Sequence, residues 1–225
     1  MEVQFLTKTS LFHNVAAEDL GPMLDCLGAE QKYFQKSAVI YHTGDAVRSI
    51  GMVLSGRVQI ENDDFWGNKS VLASIGPGEV FAETYAFLPQ EPMMVSVVAA
   101  EASEVLFLNA GKIIRSCPGS CPYHSMLIRN LLTVSAQKNL DLSRRIFHTS
   151  SKSIRGRVLS YLSFQAAHCG SREFSIPFNR QQLADYLSVD RSALSNELSK
   201  MQRDGLLTVS RNYFCLKEDN DGNDW

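Results

Sequence analysis

The sequence predicts an α+β chain in which an antiparallel β-roll, a long helix and a unit of short helices with a β-hairpin follow one another. Residues 31–108 contain short strand-like runs between turn signals, at a spacing of about ten residues, as in a closed roll or barrel. Examples of these runs are AVIY, SIGMVL, RVQIE, VLASI and MVSVVAA. Residues 126–147 contain neither proline nor glycine, and residues 154–216 change to helical and then to strand-like periodicity.

The long helix has an apolar seam near its start. Leu127, Leu131 and Val134 recur at a spacing of four and then three residues, which is typical of a helix that packs against a partner. Lys138 and Asp141 interrupt this pattern further along. The polar stretch HTSSKS follows and is the expected hinge between two domains. The pattern favours a long dimerisation helix.

Composition and charge limit the possible classes of function. A net charge of −2 hides a basic segment, 151–216, in which nine lysines and arginines stand against five acidic residues. Such a segment in an acidic chain suggests contact with a polyanion. No apolar run approaches the ~18–20 residues of a membrane span, and the start lacks the pattern of a signal peptide. We therefore expect a cytoplasmic protein without a membrane partner, and five cysteines without secretory context do not predict disulfides.

Two short helices in the basic segment carry clear start signals. Asn179 and Gln182 have the spacing of a capping box, and Ser188 is small enough for a tight turn. Asp190 can cap the next helix, which is expected to run from residue 191 to about 203. The buried face of the first helix is expected to be Leu183, Ala184 and Leu187.

The second helix has two faces of opposite character. Its apolar residues lie at i, i+4 and i+7 and should pack on the preceding helix: Leu194, Leu198 and Met201. The other face consists of short or fork-shaped hydrogen-bonding groups: Arg191, Ser192, Ser195, Asn196 and Ser199. Arginine pairs bidentately with guanine, and asparagine with adenine, in the major groove. This face predicts binding to double-stranded DNA; a helical hairpin with a merely polar surface is the alternative.

A small β-hairpin follows this helix. Gly205 ends the helix, and the runs LLTV, SRN and YFCL form a wing whose Arg211 can reach a phosphate. Arg180, at the start of the first helix, is a further candidate for DNA contact. Together these elements predict a winged helix-turn-helix.

The chain resembles the cyclic-AMP receptor protein / fumarate-nitrate regulator (CRP/FNR) family from about residue 10 to 216. The stretch NRQQLADYLSVDRSALSNELSKMQRDGLL is similar to the family's helix-turn-helix, and Gly44-Asp45, SGRV around Gly56 and GPGEVFAE resemble landmarks of its roll. The resemblance implies a cyclic-nucleotide-binding-type β-roll (jelly-roll), a long dimerisation helix and a winged helix-turn-helix. It also implies a homodimer that binds palindromic DNA and activates or represses transcription when an effector reorients the DNA-binding domains, with RNA polymerase as a possible further partner.

This interpretation divides the chain into four segments. We expect a sensor roll at 1–122, a dimerisation helix at 123–148, a DNA-binding domain at 149–217 and a disordered acidic tail at 218–225. The resemblance implies that four residues of this chain occupy the positions at which the family reads bases: Arg191, Ser192, Ser195 and Asn196. Asn196 stands where the family commonly has arginine, so the preferred DNA sequence should differ.

The sensor departs further from the family. Cyclic-nucleotide binders have a Gly-Glu pair and, about ten residues on, an Arg-Ser or Arg-Thr pair that clamps the cyclic phosphate. Here the pairs are Ala82-Glu83 and Met93-Met94. Without the arginine, the negative charge of a cyclic phosphate bound in a semi-buried pocket would have no cationic partner, which argues against cyclic AMP as the effector. The effector is unknown, and the candidate pocket residues are Glu83, Met93, Met94, Leu127 and Leu131; core packing of the methionines, and a turn or surface role for the glutamate, are the alternatives.

A second signal type is a metal, haem or redox group. Cys117, Cys121 and His124 lie within eight residues and could hold a metal or haem iron, or the cysteines could form a redox pair. A fourth ligand such as His42 or Cys26 is conjecture, and a proline-rich turn with incidental cysteines is the preferred interpretation. The remaining histidines are expected to be ordinary polar residues: His13, His148 and His168.

Two other classes of protein remain as alternatives to an effector- or redox-gated regulator. A cupin-type enzyme needs clustered histidines in the roll, but residues 31–108 contain one, His42, and the chain shows no catalytic constellation. We therefore predict that the chain is not an enzyme. A signalling module whose roll binds a partner protein is the other alternative.

Overall fold

The computed structural model describes residues 3–63, 69–115 and 122–217. The helices are α1 (Val3–Leu6), α2 (Ala17–Leu27), α3 (Glu83–Phe87), α4 (Ala110–Ile114), α5 (Pro122–Thr149), α6 (Ile154–Cys169), α7 (Arg180–Leu187) and α8 (Arg191–Arg203). The strands are β1 (Glu30–Phe34), β2 (Val39–Tyr41), β3 (Ser49–Ser55), β4 (Val58–Asp63), β5 (Lys69–Ile75), β6 (Val80–Phe81), β7 (Ser96–Ala99), β8 (Ser103–Asn109), β9 (Glu173–Ser175), β10 (Leu207–Ser210) and β11 (Tyr213–Leu216). Among these helices, none is both long and apolar enough to cross a membrane.

Packing divides the chain into two compact units, Met1–Ala136 and Gln137–Trp225. The first contains two four-stranded antiparallel sheets, with strand orders β1-β8-β3-β6 and β2-β7-β4-β5. Consecutive strands are distributed over both sheets, which is how a roll closes its edges. The predicted roll and the mixed α+β class are confirmed.

The centre of the first unit is an apolar cluster between these sheets and the helices that cover them. β3 contributes four consecutive buried residues, and its Gly51 lies directly under the ring of Phe81 on β6. The Phe81 ring also makes edge contacts with Tyr41 and Phe107. Glycine is needed at position 51 because any side chain there would occupy the volume of the Phe81 ring.

The five strand runs given as examples correspond to β2, β3, β4, β5 and β7, and β1, β6 and β8 are further strands that the examples did not include. Four of the five β1 residues are exposed, so no hydrophobic alternation marks this strand. Backbone pairing with β8 holds it in place, from Glu30 opposite Phe107 to Phe34 opposite Ser103. Such pairing is a tertiary event without a local sequence signal.

The apolar seam predicted at the start of α5 packs within its own chain. Leu127 is fully buried, Leu131 is 7% exposed and Val134 is partly buried, all against the core of the first unit. The prediction that these residues form a seam with a partner helix was therefore wrong. A spacing of four and three residues marks a buried helix face but does not say what buries it. Nearby, the Asn130 amide donates to the carbonyls of Leu11 and His13, at 3.0 and 2.8 Å.

The second unit has its own apolar cluster, formed by α6, α7, α8 and the sheet β10-β11-β9. The capped start of α7, the bounds of α8 and the hairpin of β10 and β11 agree with the sequence prediction. All predicted apolar positions of α7 and α8 are buried: Leu183, Ala184, Leu187, Leu194, Leu198 and Met201.

The prediction that His148 is an ordinary polar residue was wrong, because the structure buries it. It is 1% exposed, with Nδ1 3.2 Å from the Ser160 hydroxyl. Aromatic rings surround the imidazole at 5.2–6.1 Å: Phe147, Tyr161, Phe164 and Tyr186. Burial, and the nearby charge of Arg144, lower the pKa of His148. The ring is therefore part of the core at the end of α5.

We expect Gly51→Ala to destabilise the first unit by about 1–3 kcal/mol, because its methyl group would overlap the buried Phe81 ring. Gly21→Ala is the comparison, since it lies in α2 and, apart from its chain neighbours, no atom lies within 4 Å of the added carbon. That substitution should change the free energy of unfolding by less than about 1 kcal/mol, because the gain in helix propensity is opposed by the ring of the following Pro22. Denaturant unfolding followed by circular dichroism measures both; an unchanged midpoint for Gly51→Ala would contradict the packing described.

Candidate nucleic-acid interface

α7 begins with a complete capping box. The Asn179 side chain accepts from the backbone N–H of Gln182 at 3.0 Å, and the Gln182 side chain accepts from the backbone N–H of Asn179 at 2.8 Å. Both donors would otherwise lack a partner at the helix start. The capping box predicted from the sequence is confirmed.

The turn between α7 and α8 has a defined backbone geometry. Ser188 adopts the left-handed conformation, with φ of 54°, and its N–H bonds back to the end of α7. Asp190 caps α8 by accepting from the N–H groups of Ser192 and Ala193, at 2.8 and 2.9 Å. The hydrogen bond from the Ser192 hydroxyl, followed by these backbone bonds, lowers the pKa of Asp190. The carboxylate therefore remains charged at the positive end of α8.

Two arginines satisfy the carbonyl groups at the end of α7. Arg145, on α5, donates to the carbonyls of Asp185 and Tyr186 at 3.0 and 3.1 Å. Arg157, on α6, donates to the next two carbonyls, those of Leu187 and Ser188, at 3.0 and 2.9 Å. The final carbonyls of a helix have no partner within the helix, so these bonds fix both its end and the turn.

A third arginine attaches α6 to α8. Arg155 forms ion pairs with Glu197 and Asp204, each with an N–O distance of 2.7 Å. Glu197 lies on α8, and Asp204 is the residue at its end. None of these three arginines was predicted from the sequence to hold α7 or α8. A basic residue on one helix carries no signal of which carbonyl or carboxylate another helix brings to it.

The polar face of α8 is accessible, as predicted. Arg191, Ser192, Asn196 and Ser199 are exposed and Ser195 is half-buried. The Ser195 and Ser199 hydroxyls donate to carbonyls one turn back, at 2.9 and 3.0 Å, and the Ser192 hydroxyl donates to Asp190. Among the described residues, neither the Arg191 guanidinium nor the side-chain amide of Asn196 has a hydrogen-bond partner. The two groups best able to read bases are thus the two whose hydrogen bonds are uncommitted.

A surface depression of about 750 Å³ continues this face toward the end of α8. Its lining residues are Asn196, Ser199, Lys200, Gln202 and Arg203. Lys200 and Arg203 are exposed cations on the same helix, which the sequence analysis did not select. They extend the candidate surface with charge suited to phosphate.

The wing turn is held in place by side chains. Arg211 lies in the turn between β10 and β11 with φ of 55°, and its side chain is exposed. Asn212 donates its amide to the carbonyl of Ile176 at 3.0 Å and accepts from the N–H of Ile176 at 2.9 Å. The Arg180 guanidinium donates to the Arg211 carbonyl at 3.4 Å, and burial lowers the pKa of Arg180. Arg180 is thus half-buried against the wing, while Arg211 projects from it.

Two family models match the chain, and between them they cover both units. One, for the cyclic nucleotide-binding domain, matches residues 31–117, and the other, for the Crp-like helix-turn-helix domain, matches residues 156–219. The chain belongs to the CRP/FNR family of transcriptional regulators. It is a DNA-binding transcription regulator of this type, with an effector-binding domain.

Several CRP/FNR relatives span most of the chain at low identity. The cyclic AMP receptor protein of Thermus thermophilus is 24% identical over 202 residues, which are 88% of each chain. The regulatory protein HlyX of Actinobacillus pleuropneumoniae is 22% identical and aligns over 86% of this chain and 80% of its own. The structure of the c-di-GMP responsive global regulator CLP of Xanthomonas campestris superposes with a TM-score of 0.57 at 18% identity, covering 91% of this chain and all of the other.

The candidate effector residues of this CRP/FNR protein do not lie in one environment. Met93 is buried in the core, whereas Met94 is 73% exposed, and Leu127 and Leu131 belong to the core cluster. Glu83 is half-buried in the first turn of α3. Ala82 precedes it with φ of 60°, a conformation that favours glycine and fits the Gly-Glu pair of cyclic-nucleotide binders.

Of the candidate metal ligands, Cys117 and Cys121 lie outside the described residues. His124 is 7% exposed, and its Nε2 is 3.8 Å from the sulfur of Cys26 on α2. In the described ranges, no three histidine, cysteine or acidic side chains cluster as metal ligands would. His42 is exposed in a turn where its N–H donates to Asp45 at 2.7 Å.

We expect Arg157→Gln to lower the free energy of unfolding of the second unit by about 1–3 kcal/mol, since it removes charge-assisted bonds to carbonyls at the end of α7. Backbone amides of the turn should exchange hydrogen faster. Lys152→Gln removes the same charge at an exposed position and should stay within about 0.5 kcal/mol of the parent. If both substitutions lower the free energy of unfolding equally, the loss of a positive charge, and not the loss of the bonds to α7, accounts for the destabilisation.

Proposed function

We propose that two copies of this chain bind a two-fold symmetric DNA site, with α8 of each copy in the major groove, under control of a signal received by the first unit. In the helix-turn-helix mode, two recognition helices lie about 34 Å apart, in successive major grooves of one DNA face. The observation that carries this proposal is the uncommitted pair Arg191 and Asn196 on the exposed face of a rigidly held helix.

The chemistry of that pair indicates a mixed DNA half-site. The Arg191 fork suits the two acceptors of guanine, and the Asn196 amide suits the donor and acceptor of adenine. Five residues of helix separate them, a rise of about 7.5 Å, so they can address base pairs about two steps apart. Ser195, between them, and Ser199, beyond Asn196, donate their hydroxyl protons to helix carbonyls, so their oxygen lone pairs remain to accept hydrogen bonds from the DNA.

Phosphate contacts would fix the register of α8 on the DNA. The exposed Arg211 of the wing and the exposed Lys200 and Arg203 of α8 carry the appropriate charge. Contacts of this kind set affinity and salt dependence rather than sequence preference. Arg180, half-buried against the wing, would contribute by holding the wing or by reaching a phosphate beside it.

The surface through which two copies would associate is a second stripe on α5. Its apolar members are exposed by 40–69%: Ile128, Leu132, Leu142 and Ile146. Their spacings of four, ten and four residues keep them on one side of a helix in a heptad register. Ser135 and Asn139 occupy the register positions between them, and a polar residue at such a position specifies alignment in paired helices.

We propose that the signal at the first unit is a small-molecule effector other than cyclic AMP, or a redox or gas signal received through a metal or haem. Where cyclic-nucleotide binders place an arginine and a hydroxyl for the cyclic phosphate, this chain has the buried Met93 and the exposed Met94. Two of the three relatives named above are described by different signals, cyclic AMP in one and c-di-GMP in the other. Contact with RNA polymerase would follow DNA binding in an activator.

Selection from a random duplex library, followed by fluorescence anisotropy, tests the function and the role of Asn196. The selected half-site should contain an adenine whose replacement costs the parent protein about 1–3 kcal/mol, and Asn196→Ala should bind all four bases at that position almost equally. Replacing that adenine with 7-deazaadenine removes its N7 acceptor and should weaken the parent protein only.

Lys200→Ala is the matched comparison on the same helix. It should weaken binding uniformly and reduce the salt slope by about 0.9 for each copy, or about 1.8 for the bound pair, without changing base preference. If Asn196→Ala keeps the preferences of the parent protein, Asn196 does not read a base. If no duplex is selected with or without reductant, the proposed function itself is wrong.

Sedimentation velocity tests the proposed association. The double substitution Leu132→Glu and Leu142→Glu should give the monomer mass of 25.1 kDa, because it places two charges on the apolar stripe. Thr133→Glu adds a charge to the same helix outside the stripe and should leave the dimer intact. A dimer that persists in the double variant would exclude this face as the interface.

A further inference from the structure

A cysteine and a buried histidine meet in the first unit, outside the surfaces assigned above. Cys26 lies on α2 and His124 in the first turn of α5, and Cys26 Sγ is 3.8 Å from His124 Nε2. They are 98 residues apart in sequence, so the tertiary fold creates the pair. Cys26 is half-buried.

The surroundings of His124 indicate which of its two ring nitrogens carries the proton. The side chain is 7% exposed, and Nδ1 is buried without a hydrogen-bond partner among the described residues. A buried N–H without an acceptor costs free energy and is rarer than an acceptor left unsatisfied. The ring proton therefore belongs on Nε2, which points at the sulfur, and a donor in that position favours the thiolate form.

The charges around the end of α2 are mixed. The Lys112 ammonium lies close to Gly28, two residues after Cys26, where an added Cβ would overlap it. A neighbouring cation favours thiolate, whereas the exposed Asp25 opposes it. Among the described residues, His124 Nε2 approaches the sulfur directly, at 3.8 Å.

We propose that Cys26 is a reactive thiol positioned by His124, and that it undergoes exchange with low-molecular-weight disulfides. The thiol proton passes to solvent, and the thiolate attacks one sulfur of the disulfide. A bond forms between Sγ and that sulfur as the original disulfide bond breaks. The departing thiolate takes a proton from solvent, so one disulfide is exchanged for another and no separate oxidant is consumed. This inference stands without the DNA-binding proposal.

The chain supplies two internal comparisons. Cys169 is exposed at the end of α6, so accessibility alone would make it react faster than Cys26. Cys215 is half-buried, and its thiol donates to the Glu173 carboxylate at 3.7 Å. A Cys26 that reacts faster than both could not owe its rate to exposure.

The test treats the full-length protein with oxidised glutathione at neutral pH and follows each cysteine by peptide mass spectrometry. In the parent protein we expect Cys26 to form the mixed disulfide about tenfold faster than Cys169 and Cys215. In His124→Gln the rate at Cys26 should fall to that of Cys169 or below, with the rates at Cys169 and Cys215 unchanged. Cys26→Ser should abolish the corresponding adduct.

Two outcomes would overturn the proposal. One is a parent protein in which Cys26 reacts no faster than Cys169; this comparison needs no variant and so does not depend on whether His124→Gln folds. The other is a natively folded His124→Gln, judged by circular dichroism, in which Cys26 reacts as fast as in the parent.

Discussion

The arrangement of the second unit depends on how the carbonyl groups at the end of α7 are satisfied. A helix that stops within a tight turn leaves most of its last carbonyls without a partner inside the helix, so donors must come from elsewhere. Here Arg145 and Arg157 supply those donors from two different helices. The direction in which the chain leaves α7, and so the direction of α8, is fixed by bonds made outside the helix-turn-helix itself.

This arrangement leaves the outer face of α8 available. The leucines and Met201 are buried, Asp190 caps the start, and Arg155 holds Glu197 and Asp204. The serine hydroxyls are satisfied by the helix backbone. Because the helix start, the ion pairs and the serine hydroxyls are satisfied within the protein, the Arg191 guanidinium and the Asn196 amide remain available for a ligand. Binding a ligand at this face therefore breaks none of the hydrogen bonds that hold the helix.

The first unit shows how one helix serves two purposes. One face of α5 completes the core of the roll through Leu127 and Leu131, and a different face presents isolated apolar side chains such as Leu132. Covering an exposed apolar stripe is favourable, which is why that face suits a second copy of the chain. The same helix carries His124 to Cys26, so a covalent change at the thiol would act at the contact between α2 and α5.

The sequence by itself determined the class of fold and the exposed polar face of α8 that we propose to read bases. Asn179, Gln182, Asp190 and the leucines of α8 act over three to seven residues, and interactions of that range are visible in local spacing. Only the tertiary structure decided what buries Leu127, how β1 pairs, why His148 is enclosed by rings, and which carbonyls Arg145 and Arg157 reach. Those contacts join residues distant in sequence, and no local periodicity encodes them. Local hydrogen bonds and helical periodicity identified the elements, whereas the choice of neighbour for each face arose when those elements packed together.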